Sequence, residues 1–290
     1  MLTRKCARRQ IAQSRACGSM VTFEGDTMAY SWDLDSEESI GLDELIDFLD
    51  EQGGNVLNDK LDVAAMMMRK LFNNRTFLSE TILRQLADER RFDSINPYTP
   101  QVFMLHRADH YFIRAAIWAP PTGMTGEEIF FYEDPHDHNF ALLTLGYEGQ
   151  GYETLLFEYD HQSVIGDVGE TVEVRFLERT RLSRGRVMFY RDSRDIHVQF
   201  PSEDFSISIN VVVPKIQMNR QYSFELDLSP DTTCATIREN LIFHTPTVIS
   251  RFAHDLGVQN VPEILRGHVA ASSDQCAQRI ADEFLRALEV

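Results

Sequence analysis

Hydrophobic and polar positions change rhythm twice along this chain. Between residues 24 and 51 every charge is Asp or Glu, and Leu42, Leu45, Ile46 and Leu49 recur at helical spacing. That pattern predicts an acidic amphipathic helix, ended by Gly53-Gly54-Asn55. Helical spacing resumes over about 59–72 and 78–90, until Asn96-Pro97 and Thr99-Pro100 break it.

From residue 102 to 214 the period shortens to that of strands. Residues 111–118, 141–147, 153–159, 171–176, 186–190 and 205–213 each read as one strand, with Gly149-Gln150-Gly151 as a hairpin turn. Short strands joined by Gly-bearing turns, with no long helix among them, indicate an antiparallel sandwich or barrel. One more strand is expected near 222–226. Helical spacing then returns at 237–241, 248–256, 261–265 and 275–288. The expected organisation is a basic tail over 1–27, a helical segment over 28–96, a β-barrel over 97–227 and a helical segment over 228–290. No fixed-period repeat interrupts it.

Charge narrows the range of partners. The 290 residues carry 45 acidic and 28 basic side chains, a formal net charge of −17, which argues against nucleic acid as a ligand. The basic side chains of the 1–27 tail are Arg4, Lys5, Arg8, Arg9 and Arg15. The tail lacks the apolar run of a secretory signal, and is read as a disordered tail or as sequence ahead of a true start at Met20 or Met28. A weak organelle-targeting peptide is the alternative. No run reaches the roughly 18 apolar residues that span a bilayer, so no membrane partner is expected. Cys6, Cys17, Cys234 and Cys276 form no CxxC pair, which points away from a disulfide framework and towards a reducing, cytoplasmic setting.

Three of the nine histidines carry the candidate chemistry. His136 and His138, in Pro135-His136-Asp137-His138-Asn139-Phe140, are two apart where a strand begins, so both imidazoles can share one face. His197 follows the turn glycine Gly185 by a short strand and a loop containing Asp192-Ser193. This pattern resembles the cupin family, whose first motif is HxH at a strand start and whose second is a turn glycine, a strand, a loop and a further His.

The family's usual Glu ligand would fall near Leu142 or Leu143, neither of which can bind metal. A three-His set without Glu is similar to the cysteine dioxygenase branch. So are Phe140 after the HDH motif, Glu153-Thr154 at the end of the hairpin, and Asp192-Ser193 ahead of His197. The resemblance covers roughly residues 100–214. It departs from that branch in one respect: the Cys that many members crosslink to Tyr is absent, since no Cys lies between Cys17 and Cys234.

The resemblance implies an all-β cupin barrel with helical segments at both ends and one metal ion on His136, His138 and His197. Iron(II) is the expected ion, with Zn, Mn and Ni as alternatives: imidazole suits Fe(II), Ni, Cu and Zn, and the sequence does not fix which ion is bound. It further implies a mononuclear non-heme iron dioxygenase or other oxygenase, acting with O2 on a small anionic, amino-acid or thiol substrate. The 2-oxoglutarate oxygenase triad does not fit, because His138 stands where its carboxylate would be and no Arg lies in 205–213. Arg114 and Arg107 precede the HDH strand, where thiol dioxygenases place a carboxylate-binding Arg. Either can bind substrate, and Arg114 acts at the reaction centre if it points inward. Tyr190 is the candidate hydrogen-bond donor in catalysis, with barrel filling as its plainer role. Asp137 is read as an acceptor that orients an imidazole. Cupins commonly dimerise, so a homodimer is compatible. Two other functions remain open: a ligand-binding or regulatory barrel, and a Zn- or Mn-dependent hydrolase or isomerase.

Overall fold

The computed structural model describes residues 30–87, 101–122, 132–214, 220–241 and 260–271, with isolated positions between 253 and 286. The 1–27 tail, the breaks at 96–100 and most of the helical spacing expected at 248–256 and 275–288 lie outside these residues.

The N-terminal helices form where apolar spacing predicts them. Helix α1 (Leu42–Gln52) buries Leu45 and Leu49, and its Glu44 carboxylate accepts the Gly41 N–H at 2.7 Å, capping the first turn. Helices α2 (Val56–Asp59), α3 (Leu61–Asn73) and α4 (Phe77–Leu86) follow. Helix α4 is capped by the Asn74 side chain, which accepts the Phe77 N–H at 3.0 Å. Their buried faces pack as one layer on a β-sheet.

That sheet has six strands. In chain order they are β1 (Tyr30–Trp32), β2 (Val102–Arg107), β3 (Phe112–Trp118), β4 (Phe140–Glu148), β7 (Val187–Tyr190) and β9 (Ser206–Pro214), arranged β1-β7-β4-β9-β3-β2. A second sheet contains β5 (Glu153–Tyr159), β6 (Thr171–Arg181), β8 (Asp195–Gln199), β10 (Tyr222–Leu226) and β11 (Cys234–Asn240), arranged β10-β11-β6-β5-β8. All ladders are antiparallel, and β9 lies between β3 and β4 while β5 pairs with β8. Strands distant in sequence therefore wind around one another, which is the jelly-roll arrangement. Gly149 and Gly151, at φ 76° and 75°, make the predicted β4–β5 turn in a conformation that favours glycine.

Strand alternation sorts side chains into three cores. One face of the first sheet sends Leu143, Leu145, Val187, Ile209 and Val211 against Leu45, Leu49, Met68 and Leu71 of the helices. The other face sends Leu142, Met188, Tyr190 and Val212 inward, against Leu156 of the second sheet. The second sheet buries Leu155, Phe157, Tyr159, Val198, Tyr222, Phe224 and Ile237 on its far side. Its two ends, β8 and β10, are joined through His136, which bridges both His197 and Ser223. The metal-motif segment thus closes that sheet.

Two expectations change. Residues 237–240 of the stretch read as helical over 237–241 belong to strand β11, where Ala235 and Ile237 are buried between outward Thr236 and Arg238. The apolar pair Ile237 and Leu241 imitates helical spacing, but the deciding alternation is at 235–238. The strand that carries His197 forms separately as β8, and all five of its residues are buried. Helix α5 (Val261–Ala271) starts where spacing predicts one. Among the described residues no helix is long and apolar enough to cross a membrane.

Candidate metal centre

His136 is held between two strands by backbone hydrogen bonds. It exchanges N–H···O bonds with His197 at 3.2 and 2.9 Å on one side. On the other side the Asp137 N–H donates to Tyr222 at 3.1 Å and the Phe224 N–H to Pro135 at 2.8 Å. The segment is therefore extended, and His136 and His138 share a face as their spacing predicts. His197 stands directly across from His136, so its imidazole joins them.

The candidate ligand atoms of the three rings lie within 4.8 Å of one another. The Nε2 atoms of His138 and His197 are 3.4 Å apart. Two nitrogens bonded at about 2.1 Å to one cation stand roughly 3.0–3.4 Å apart at octahedral to tetrahedral angles, so the spacing fits a shared ion. His136 Nδ1 lies 2.8 Å from the Asp134 carbonyl, a contact that fixes the ring and leaves Nε2 for the cluster. The Nδ1 atoms of His138 and His197 are buried without a hydrogen-bond partner among the described residues. His138 also stacks on Phe140, with ring centroids 4.4 Å apart.

Electrostatics favour lone pairs over protons here. Burial lowers the pKa of His136, and lowers those of His138 and His197 well below the usual imidazole value, with the neighbouring imidazoles adding to the effect on these two. The rings are therefore neutral at physiological pH, the state in which imidazole binds metal. Among the described residues this is the group of His, Cys, Asp and Glu side chains that could hold a metal ion. Leu142 and Leu143, where a fourth carboxylate ligand would fall, are buried in two different apolar cores.

The remaining predicted residues separate. Arg114 faces the interior: its Nε donates to Asn210 Oδ1 at 3.2 Å, and its charge helps to depress the His138 pKa. Tyr190 is buried with its ring 4.9 Å from that of His197, and burial beside Tyr152 holds its hydroxyl pKa well above the ordinary range. Arg107 is exposed at the end of β2, opposite Phe112, and is not among the groups acting on the imidazoles. Asp137 orients no imidazole. It lies on the opposite face of its strand, where its carboxylate accepts the Tyr159 hydroxyl at 2.7 Å and the Tyr222 N–H at 2.6 Å. Burial raises its pKa to about 7.

A polar row on the inner wall went unread in the sequence. Asn210 Nδ2 donates to Thr144 at 2.7 Å and to Ser208 at 3.2 Å, and the Trp118 indole donates to Ser208 at 3.0 Å. Its signal was present: Ser206, Ser208 and Asn210 alternate with Ile207 and Ile209, so β9 turns a polar stripe inward. At one end of β8 a second cluster holds the turn before His197. Glu158, fully buried, receives Arg175 closely, Arg191 at 3.0 Å and Arg194 at 3.1 Å, while Arg191 also pairs with Asp195.

The sequence matches no family model and no curated protein. Among solved structures the chain is similar to a hydroquinone 1,2-dioxygenase from Sphingomonas sp. TTNP3 with 4-hydroxybenzoate bound. The identity there is 16%, over 42% of this chain and 70% of that one, at a TM-score of 0.28. It is also similar to a DMSP lyase from Ruegeria pomeroyi DSS-3, at 10% identity over 41% of this chain and 48% of that one, TM-score 0.25. The coconut allergen cocosin matches at 10% identity over 44% and 30%, TM-score 0.25. The chain spans about half the length of the DMSP lyases it matches. The wound strands decide the architecture. The core is a β-rich jelly-roll barrel, the fold that the cupin resemblance implies.

Proposed function

We propose that this protein is a mononuclear non-heme iron oxygenase of the three-histidine type, similar to the cysteine dioxygenase branch. The observation that supports it most is the convergence of three neutral, buried imidazoles in the interior between the sheets, into which Arg114 also points from the opposite sheet. Iron(II) on His136, His138 and His197 would supply Lewis acidity and one-electron chemistry with O2. A neutral ligand set leaves the ion's +2 charge uncompensated, so the site favours an anionic substrate.

The chain's own residues then divide the work. Arg114, its Nε engaged by Asn210, presents its guanidinium to a substrate carboxylate, which it can grip through two parallel N–H bonds. Tyr190, held protonated by burial, is a hydrogen-bond donor beside His197. Leu142, Leu156, Met188 and Val212 make part of the surrounding wall apolar, beside the polar row of β9. The substrate class is a small amino-acid, thiol or other carboxylate-bearing anion, and the working unit can be a homodimer.

The test is O2 consumption by iron(II)-reconstituted protein against a panel of small thiols, amino acids and keto acids. Uptake that needs the iron and one substrate class supports the reading. A zinc- or manganese-dependent hydrolysis or isomerisation without O2 uptake would replace it, and ligand binding without turnover would leave a regulatory barrel.

A further inference from the structure

Strand β10 lies beyond the span of the cupin-like motifs, yet it places a side chain beside the ligands. Ser223 stands directly opposite His136, on the side away from His197. The flanking bonds, Asp137 N–H to Tyr222 and Phe224 N–H to Pro135, make this a non-hydrogen-bonded antiparallel pair. In such a pair the two side chains share a face and approach more closely than in the hydrogen-bonded kind. His197, His136 and Ser223 therefore form a row across three adjacent strands, all on one face. The opposite face is accounted for, because Tyr222 and Phe224 pack into the second core with Tyr159.

Ser223 is 0% exposed, and its hydroxyl has no hydrogen-bond partner among the described residues. Leaving a buried hydroxyl unpaired costs about 1–3 kcal/mol, which most folds avoid. Three other buried serines are satisfied: Ser202 donates to Gly151 at 2.9 Å, Ser206 accepts from Gly151 at 3.0 Å and Ser208 accepts from Trp118 at 3.0 Å.

We infer that the Ser223 hydroxyl is a hydrogen-bond donor to an anion coordinated at the three-histidine centre. It is a binding residue contributed by β10, and the ligand it serves carries an acceptor atom next to the ion, such as a carboxylate, thiolate or other anion. This assignment rests on the metal-site reading above.

The experiment uses the full chain loaded with cobalt(II), with azide as the probe anion, followed by visible absorption in wild type and Ser223→Ala. Loss of one hydrogen bond to a charged acceptor predicts about a tenfold weaker azide Kd, with the cobalt Kd changed by less than about twofold. An azide Kd unaffected by Ser223→Ala would overturn the role of the serine while leaving the metal site intact. A parallel fall in cobalt and azide affinity would also overturn it, by placing the effect on the ion or the fold. Failure of the wild-type chain to bind cobalt would remove the metal site itself and this assignment with it.

Discussion

Glu158→Gln is the substitution for which the structure gives the clearest magnitude. The carboxylate is fully buried on β5 and is shared by Arg175, Arg191 and Arg194, whose side chains are 26%, 15% and 37% exposed. Removing its charge leaves three guanidiniums around a neutral amide that also presents N–H groups to them. Breaking a buried ion pair from one side costs about 3–5 kcal/mol, and the partial exposure of the arginines argues for the lower end, about 3 kcal/mol. With a urea slope of about 2–3 kcal/mol per molar, the unfolding midpoint should fall by about 1–1.5 M at neutral pH.

The pH dependence gives a second check. Burial alone would raise the Glu158 pKa, but the three arginines outweigh it and hold the carboxyl below its ordinary 4.5. A depressed carboxylate stabilises the fold above its unfolded pKa, and that contribution disappears as pH falls through the folded value. The gap between wild type and Glu158→Gln should therefore narrow as the pH is lowered below 4.5. Equilibrium urea unfolding of the metal-free protein at a series of pH values measures both effects. A gap under about 0.5 kcal/mol at neutral pH, or one that does not narrow in acid, would refute the idea that charge at Glu158 holds this cluster together.

Three further perturbations separate the parts of the site. His138→Ala removes a ligand and a buried ring with an unpartnered nitrogen, so metal affinity should collapse while the circular dichroism and the fold persist; an unchanged metal Kd would contradict the assignment. Arg114→Met should weaken binding of small carboxylates to the metal-loaded protein by about tenfold or more, with metal content unaffected; isothermal titration reads both. Asp137, with a folded pKa raised by burial from 3.8 to about 7, contributes stability that is fully present below pH 3.8 and lost as pH rises through about 7. Metal-free wild type should lose stability over that range relative to Asp137→Asn, and parallel pH profiles would show that Asp137 does not titrate there.

The candidate site was legible in sequence to the extent that it depends on strand periodicity. His136 and His138 share a face because residues two apart on a strand must, and the turn glycine and loop ahead of His197 mark its strand even though β8 itself was not anticipated. The same rule, taken one residue further, would have turned Asp137 away from the metal and towards the second core. What the sequence concealed depends on pairing between distant strands. Nothing local tells that β10 closes the second sheet through His136, so Ser223 was invisible as a neighbour of the site. Arg114 and Arg107 are indistinguishable in sequence; the β3–β9 register puts Arg114 opposite Asn210, and the β2–β3 register leaves Arg107 at an exposed hairpin end. The polar stripe on β9 was visible as alternation, but its meaning depended on which face of that strand looks inward.

The most direct test of the central claim is elemental analysis of the purified protein and of His136→Ala. About one iron per chain is expected in the wild type and none in the variant, with both proteins folded. Zinc at the same stoichiometry would contradict the oxygenase while keeping the site, and no metal even after reconstitution would contradict the site itself.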